Sequence, residues 1–412
     1  MQWYQIFQNG PEYEARKQNS TFTPSNLSLK DVHAAVPKHL FQRDTAKSLY
    51  YILRHVALTY AFYVLGTRID AFAWTLGTTY ALRYPVRVLL RSALWVTYWF
   101  WQSIAFAGLW CLGHETGHDA LSPRPWFNAV AGIILHTFIL VPYYSWRVTH
   151  RTHHKSTNNT ERDETYIPPT RKDLKLPDGK VAVKMDYKDI IEETPAYTLF
   201  KLVMRQLLGY QLYLLHNRKG NPKYPPWTSH YKPSSQIFKP EQRQSIVVSN
   251  VCIATMLSIL AIWTHQTSGL YMWKHYWVPW IVTFTYLQHS DPTIPYYRRD
   301  QWTFARGALA TVDRPFFGWV GRFFLHNIAH DHVAHHFFSM IPFYNQPAVT
   351  EAIKPVLGDH YNYDSTGTLF ALWRSFRQCT FIEDDGDVVF FKNQQGEAVR
   401  EVAGSAGVAG AQ

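Results

Sequence analysis

Cysteine is scarce in this 412-residue sequence: Cys111, Cys252 and Cys379 stand far apart, with no CxxC pair. That argues against a disulfide framework and against a thiolate zinc site. The opening stretch MQWYQIFQNGPEYEARKQNS lacks an apolar core, so it does not read as a cleaved signal peptide. No nucleic-acid module is visible and none is expected as a partner, although the formal net charge is +11. The basic residues flank apolar stretches, which assigns the excess charge to an anionic membrane face. Charge is missing over long runs: residues 93–113 form 21 uncharged positions, enough to cross a hydrocarbon core of about 30 Å. Internal repeats are absent too, so the chain reads as one membrane-embedded unit.

What is present is unevenly spread. Hydrophobic residues make up 47% and aromatics 16%, yet mean hydropathy is only −0.23, so apolar residues must sit in blocks between large polar segments. Spans are expected at about 49–67, 91–112, 245–264 and 270–289. An uncharged block at 125–146 and an amphipathic one at 198–215 read as interfacial or re-entrant. Residues 70–86 read as a turn or interfacial piece, and 155–196 as a soluble excursion. Residues 1–48 and 381–412 read as cytosolic flanking segments around a membrane domain at 49–380. Basic residues crowd the first 54 positions, whereas the presumed turn at 265–274 carries only Lys274; the positive-inside rule then puts the N-terminus in the cytosol.

Histidine is the anomaly, with 20 copies. His114 and His118 lie in HETGH, His150, His153 and His154 in HRTHH, and His332, His335 and His336 in HDHVAHH. Spacings of three and four residues place side chains on one helical face. Eight imidazoles exceed what one four-coordinate zinc can use, and imidazole suits iron, copper, nickel and zinc alike; two metal ions are the simplest reading. Isolated histidines such as His55, His136 and His216 read as hydrogen-bonded side chains, and His33, His39, His230 and His360 as solvated. Sharing metals imposes a topology. If 125–146 crossed the membrane fully, HETGH and HRTHH would emerge on opposite faces, so this block must return, leaving four true spans.

The boxes HETGH, HRTHH and HVAHH resemble the membrane-bound fatty acid desaturase superfamily. The stretches LVPYYSWRVTHRTHH, TYLQHSDPTIPYY and AHHFFSMIPFYN are similar to fungal and plant Δ12 (ω-6) desaturases and the related acetylenases, over about residues 50–380. The resemblance implies an all-α membrane protein of four transmembrane helices in two hairpins, plus the re-entrant segment, capped by a cytosolic helical domain carrying the boxes. It also implies an endoplasmic reticulum location, two non-haem iron ions and O2 as co-substrate. The implied substrate is a fatty acyl phospholipid or acyl-CoA, and the implied electron donors are cytochrome b5 and its NADH-dependent reductase. No HPGG haem motif occurs, so the donor is expected as a separate protein. His289 in LQHSD is implied as a ninth ligand.

Desaturation attacks an unactivated methylene pair, so no catalytic residue is expected apart from the metal centre. Glu115, Asp119, Asp291 and Asp331 lie within two residues of these histidines and are expected to orient them. Two departures bear on the product. Thr116 stands where many Δ12 members have Cys, and His330-Asp331 precede the third box where an acidic residue and Thr are common. His330 falls off the face of the third box and is not expected as a ligand. An acetylenase, or a bifunctional enzyme, is therefore the alternative to Δ12 desaturation. HETGH also matches the HExxH motif of a zinc metalloprotease, but the spans at 245–290 offer no aspartate as third ligand and that reading leaves HRTHH without a role.

Overall fold

Two long helices, Thr45–Thr79 and Tyr84–Gly117, form the first hairpin in the computed structural model, which describes residues 7–165, 167–280 and 286–403. The Asp44 carboxylate caps the first by accepting the Ala46 and Lys47 amides, and Pro85 sits in the first turn of the second, where its missing N–H costs nothing. At about 1.5 Å per residue each helix spans roughly 50 Å, well beyond an apolar core. Residues 70–79 and 84–86, expected as a turn or interfacial piece, are therefore helix, and the turn shrinks to 80–83. Asp70 closes the far end by accepting from Arg91 and Trp95, each at 2.8 Å, and from Lys274.

The uncharged third block divides into Pro125–Phe138 and Tyr143–Ser156, which meet at 108°. The bend has a local cause: Leu140 takes a positive φ of 58° and Pro142 cannot donate a backbone hydrogen bond. The chain thus doubles back, which carries HRTHH to the end of the helix that bears HETGH. Next come Pro195–His216, with Leu199, Phe200, Val203 and Leu207 on its exposed side, and Arg243–Gln266. Among the described residues Pro240–Gln266 is the one helix that is long and apolar enough by itself to cross a membrane. The segment expected as a continuous span at 270–289 departs from that reading. It is helical at Gly269–Met272, widens into a five-residue π-turn at Trp273–Trp277, and is helical again at Tyr286–His289; residues 281–285 lie outside the described residues.

The flanking segments are built into the fold. Val32, Val36 and Leu40 pack with Val349, Ile353 and Leu357 and with Val333, Ala334 and Phe337 beside the third box. Strand Val388–Phe390 pairs antiparallel with Pro295–Tyr297, and Glu401–Val402 pairs parallel with Thr21–Phe22. The segments on either side of 48–380 thus pack on and pair with the part between them. The adjacent Phe381 and Ile382 are buried there without a periodic pattern to announce them.

His230, expected in solvent, is fully buried against Tyr213 and Phe238. Burial pushes its pKa down to about 4. With an unfolded value of about 6.5, the neutral ring supports the fold fully above that pH, and this support fades as pH falls toward 4. Lowering the pH from 7 to 5 should cost up to about 2 kcal/mol through this group, and His230→Phe should shrink the accompanying drop in unfolding temperature, read by tryptophan emission in detergent. Gly108 presses the second helix against the Phe324 carbonyl and the His55 ring, leaving no room for a methyl group. Gly108→Ala should therefore lower stability by about 1–3 kcal/mol, although alanine is the better helix former by about 1 kcal/mol; thermal unfolding in detergent checks the sign.

Candidate metal centre

Nine buried or half-buried imidazoles converge in two adjacent groups. The first holds His114, His118, His150, His154 and His335, with ligand atoms all within 4.8 Å of one another. The second holds His153, His289 and His336 on the same criterion. His332 joins it, its Nε2 lying 2.9 Å from that of His289 and 3.1 Å from that of His336. The rings of His154 and His336 stack at 4.1 Å, so the groups touch. Helical geometry explains the division. His150 and His154, one turn apart, serve the first group while His153 serves the second; His332 and His336 serve the second while His335 serves the first. His330 belongs to neither.

Ring orientation is fixed from behind. His153 Nδ1 donates to Asp163 Oδ1 at 2.8 Å, and His332 Nδ1 donates to the Ile328 carbonyl at 2.9 Å. The Thr157 hydroxyl gives its own hydrogen to the His153 carbonyl at 2.8 Å, so at 3.0 Å it accepts from His336 Nδ1. His114 Nδ1 donates to Glu115 Oε1 at 3.2 Å. A proton on Nδ1 leaves Nε2 with a lone pair, and the Nε2 atoms face inward. Besides the contacts of His332, His114 and His118 meet at 3.3 Å, His150 and His154 at 3.1 Å, and His153 and His289 at 3.3 Å.

Facing lone pairs repel unless an electrophile lies between them. Nitrogens about 2.0–2.1 Å from one ion, at roughly right angles, would stand about 3 Å apart, which matches this packing. His335 Nε2 is buried without a hydrogen-bond partner, as a ligand atom would be without its ion. Burial, with neighbouring imidazoles adding to it, holds His150, His154, His335 and His336 well below the ordinary histidine pKa, and so in the neutral form that binds metals. The residues fit a metal site.

Of the four carboxylates expected to orient the histidines, Glu115 takes that place. Its Oε1 reaches His114 and lies 3.8 Å from His335 Nδ1, while Oε2 accepts the Phe343 amide. The other three are engaged elsewhere, because adjacency in sequence does not set the direction of a side chain. Asp119, with φ of 58°, binds Arg147 and Arg151 and so pins the HRTHH helix to the end of the HETGH helix. Asp291 pairs with Arg314 and Arg374, and Asp331 with Thr350 and Arg322. Sequence reasoning missed Asp163 and Thr157. Asp163 lies ten residues beyond His153, in a charged stretch read as a loop, and no spacing rule points to it. His55 and His136 are hydrogen-bonded to the Ala105 and Trp110 carbonyls, as expected.

The family model for fatty acid desaturases matches residues 93–367. The chain belongs to the fatty acid desaturase family. It is 38% identical to a Delta(12) fatty acid desaturase of Mortierella alpina, over 93% of each chain. It is 36% identical to an oleate hydroxylase of Claviceps purpurea, over 91% of this chain and 83% of that one. It is 32% identical to an sn-1 acyl-lipid omega-3 desaturase (ferredoxin) of Nostoc, over 97% of this chain and 100% of that one. This desaturase is accordingly an oxidoreductase of lipid metabolism acting on a fatty acyl lipid, in a membrane-associated family. The metalloprotease reading of HETGH falls with that finding, since His114 and His118 stand among three further imidazoles.

Asp163→Asn should keep the fold yet weaken metal binding about 10–100-fold, because the backing carboxylate of His153 is lost. Metal retained per chain after stepwise chelation measures this; unchanged retention would overturn the role.

Proposed function

We propose that this desaturase inserts a cis double bond of the Δ12 (ω-6) type, converting an oleoyl to a linoleoyl chain with O2. The observation that carries the proposal is the set of inward-facing Nε2 atoms in two touching groups, within a family whose Delta(12) member from Mortierella alpina aligns over 93% of this chain. His114, His118, His150, His154 and His335 would hold one iron ion, and His153, His289, His332 and His336 the other. The di-iron centre, when bound, supplies the oxidising power needed to remove hydrogen from an unactivated methylene pair.

The chain's own residues do the rest. Asp163, Thr157, the Ile328 carbonyl and Glu115 hold protons on Nδ1 and keep Nε2 aimed inward. Trp110 and Trp146 stack on His114 and His150 with ring planes 23° and 19° apart, which fixes ring tilt and excludes water from that side. The two first helices, Pro240–Gln266 and the segment ending at His289 supply four spans, with 125–156 re-entrant and the N-terminus and boxes on the cytosolic side of the endoplasmic reticulum. Separate cytochrome b5, reduced by its NADH-dependent reductase, delivers the electrons; the carrier is a phospholipid or coenzyme A.

A second reading, an acetylenase or bifunctional enzyme that takes a double bond to a triple bond, is favoured by Thr116 inside the first box. Expression in yeast with fatty acid profiling decides between them: linoleate should appear, and should vanish in His335→Ala. A triple-bonded product would instead establish the second reading, and no new acyl product would refute both.

A further inference from the structure

The two imidazole groups are held by different means. His114, His118, His150 and His154 ride on helices of 34 and 14 residues or cap them, whereas His289 stands at the C-terminal end of the helical stretch Tyr286–His289. The last carbonyls of a helix have no intrahelical partner and need outside donors. Each of the last carbonyls has one. Leu287 accepts from Arg314 Nε at 3.0 Å, Gln288 from the Val312 amide at 3.1 Å, His289 from the Tyr296 hydroxyl at 3.2 Å, and Ser290 from Ser375 Oγ at 2.8 Å.

Arg314 acts on both sides of this group. Its backbone amide donates to the Ala329 carbonyl at 2.8 Å, next to Ile328, whose carbonyl orients His332. Its guanidinium is locked in turn, with Nη2 2.6 Å from Asp291 Oδ2 and Nη1 on Asp364 Oδ2. Arg374 Nη2 shares Asp364 at 2.5 Å, and the Tyr13 ring lies 3.6 Å from the Arg374 guanidinium. The side chains of Arg314, Arg374, Asp291 and Asp364 are at most 3% exposed. Well-packed apolar residues would often serve stability as well as such buried ions do, so specific geometry is the better account of them.

We infer that Arg314 is the positioning residue that sets His289 against His332, and that the buried Arg314–Asp291–Asp364–Arg374 network exists to complete the second metal group. The inference rests on the proposed di-iron reading. Its consequence is selective: loss of the Arg314 guanidinium loosens His289 and leaves the five-imidazole group intact.

Purified wild type, Arg314→Gln, His289→Ala and the double variant are to be compared for iron per chain and for magnetic coupling between irons by Mössbauer spectroscopy. Arg314→Gln should fall from two irons toward one and lose the coupling, as His289→Ala does. The double variant should lose no more than His289→Ala alone, because Arg314 acts through that ring. Arg171→Gln, which breaks the Arg171–Glu383 pair away from the histidines, should keep both irons. If Arg314→Gln does not accumulate as folded protein, Ser375→Ala removes only the donor to the Ser290 carbonyl and should show a partial loss. Two coupled irons in Arg314→Gln, or in Ser375→Ala where that stands in, overturn the inference alone, as does equal iron loss in Arg171→Gln or an additive loss in the double variant. Wild type without two irons overturns the di-iron reading, and the inference with it.

Discussion

Lone pairs of buried nitrogen repel at 3 Å, and this chain places several such pairs at that separation. Everything around them is arranged to make the approach possible. Nδ1 protons of His153, His336, His114 and His332 are tied to Asp163, Thr157, Glu115 and the Ile328 carbonyl, so His332 and His336, 3.1 Å apart, cannot relieve the repulsion by exchanging tautomers. At His150, His154 and His336 burial opposes the alternative relief of protonation, since an imidazolium there would lose its hydration. A bound cation would satisfy the lone pairs that remain, and the two converging groups of rings fit a metal site.

Meeting at two points requires chain segments more than two hundred residues apart to be brought into register, and two kinds of scaffold do it. Long helices carry HETGH and HRTHH, and Asp119 clamps one to the other through Arg147 and Arg151. The third box sits on a helix of six residues and His289 at a helix end, where hydrogen bonds from remote groups hold the backbone. The N-terminal segment belongs to this second scaffold. Arg16 donates to Thr293 Oγ1 at 2.9 Å and to the Tyr363 carbonyl, and Asn9 receives Arg374 at 2.7 Å. Polar residues outside the boxes thereby become part of the site's framework.

Legibility in the sequence followed the same division. Runs without charge and i, i+4 histidine spacing are local signals, so the helices of the first hairpin and the clustering of the eight histidines could be read directly, while the return of the third block followed from the need for the first two clusters to meet. His289 needed the family resemblance, because one histidine after an apolar run has no local signature. The partners of the rings were read poorly. Asp119, Asp291 and Asp331 lie beside histidines along the chain but face arginines or Thr350, whereas Asp163 reaches back to His153 from beyond the six residues 157–162 that follow the helix. Such contacts depend on where a loop folds back, which composition does not encode. In the flanking segments Tyr13 and Ile382 are buried without the periodicity that marks a packed face, whereas Val32, Val36 and Leu40 recur every four residues.

The departure inside the first box can now be placed physically. Thr116 is fully buried, and its hydroxyl donates to the Gly113 carbonyl at 2.5 Å, one helical turn back. It lies against Gly132, where an added methyl group would strike both Thr116 and the Tyr143 ring. Thr116 therefore faces the returning block, not the imidazoles, and a change there acts on the distance between HETGH and the bend that carries HRTHH. Asp119 acts on the same distance from the other end, through its two arginines. A change at either position would thus shift the HETGH helix against the returning block without removing an imidazole.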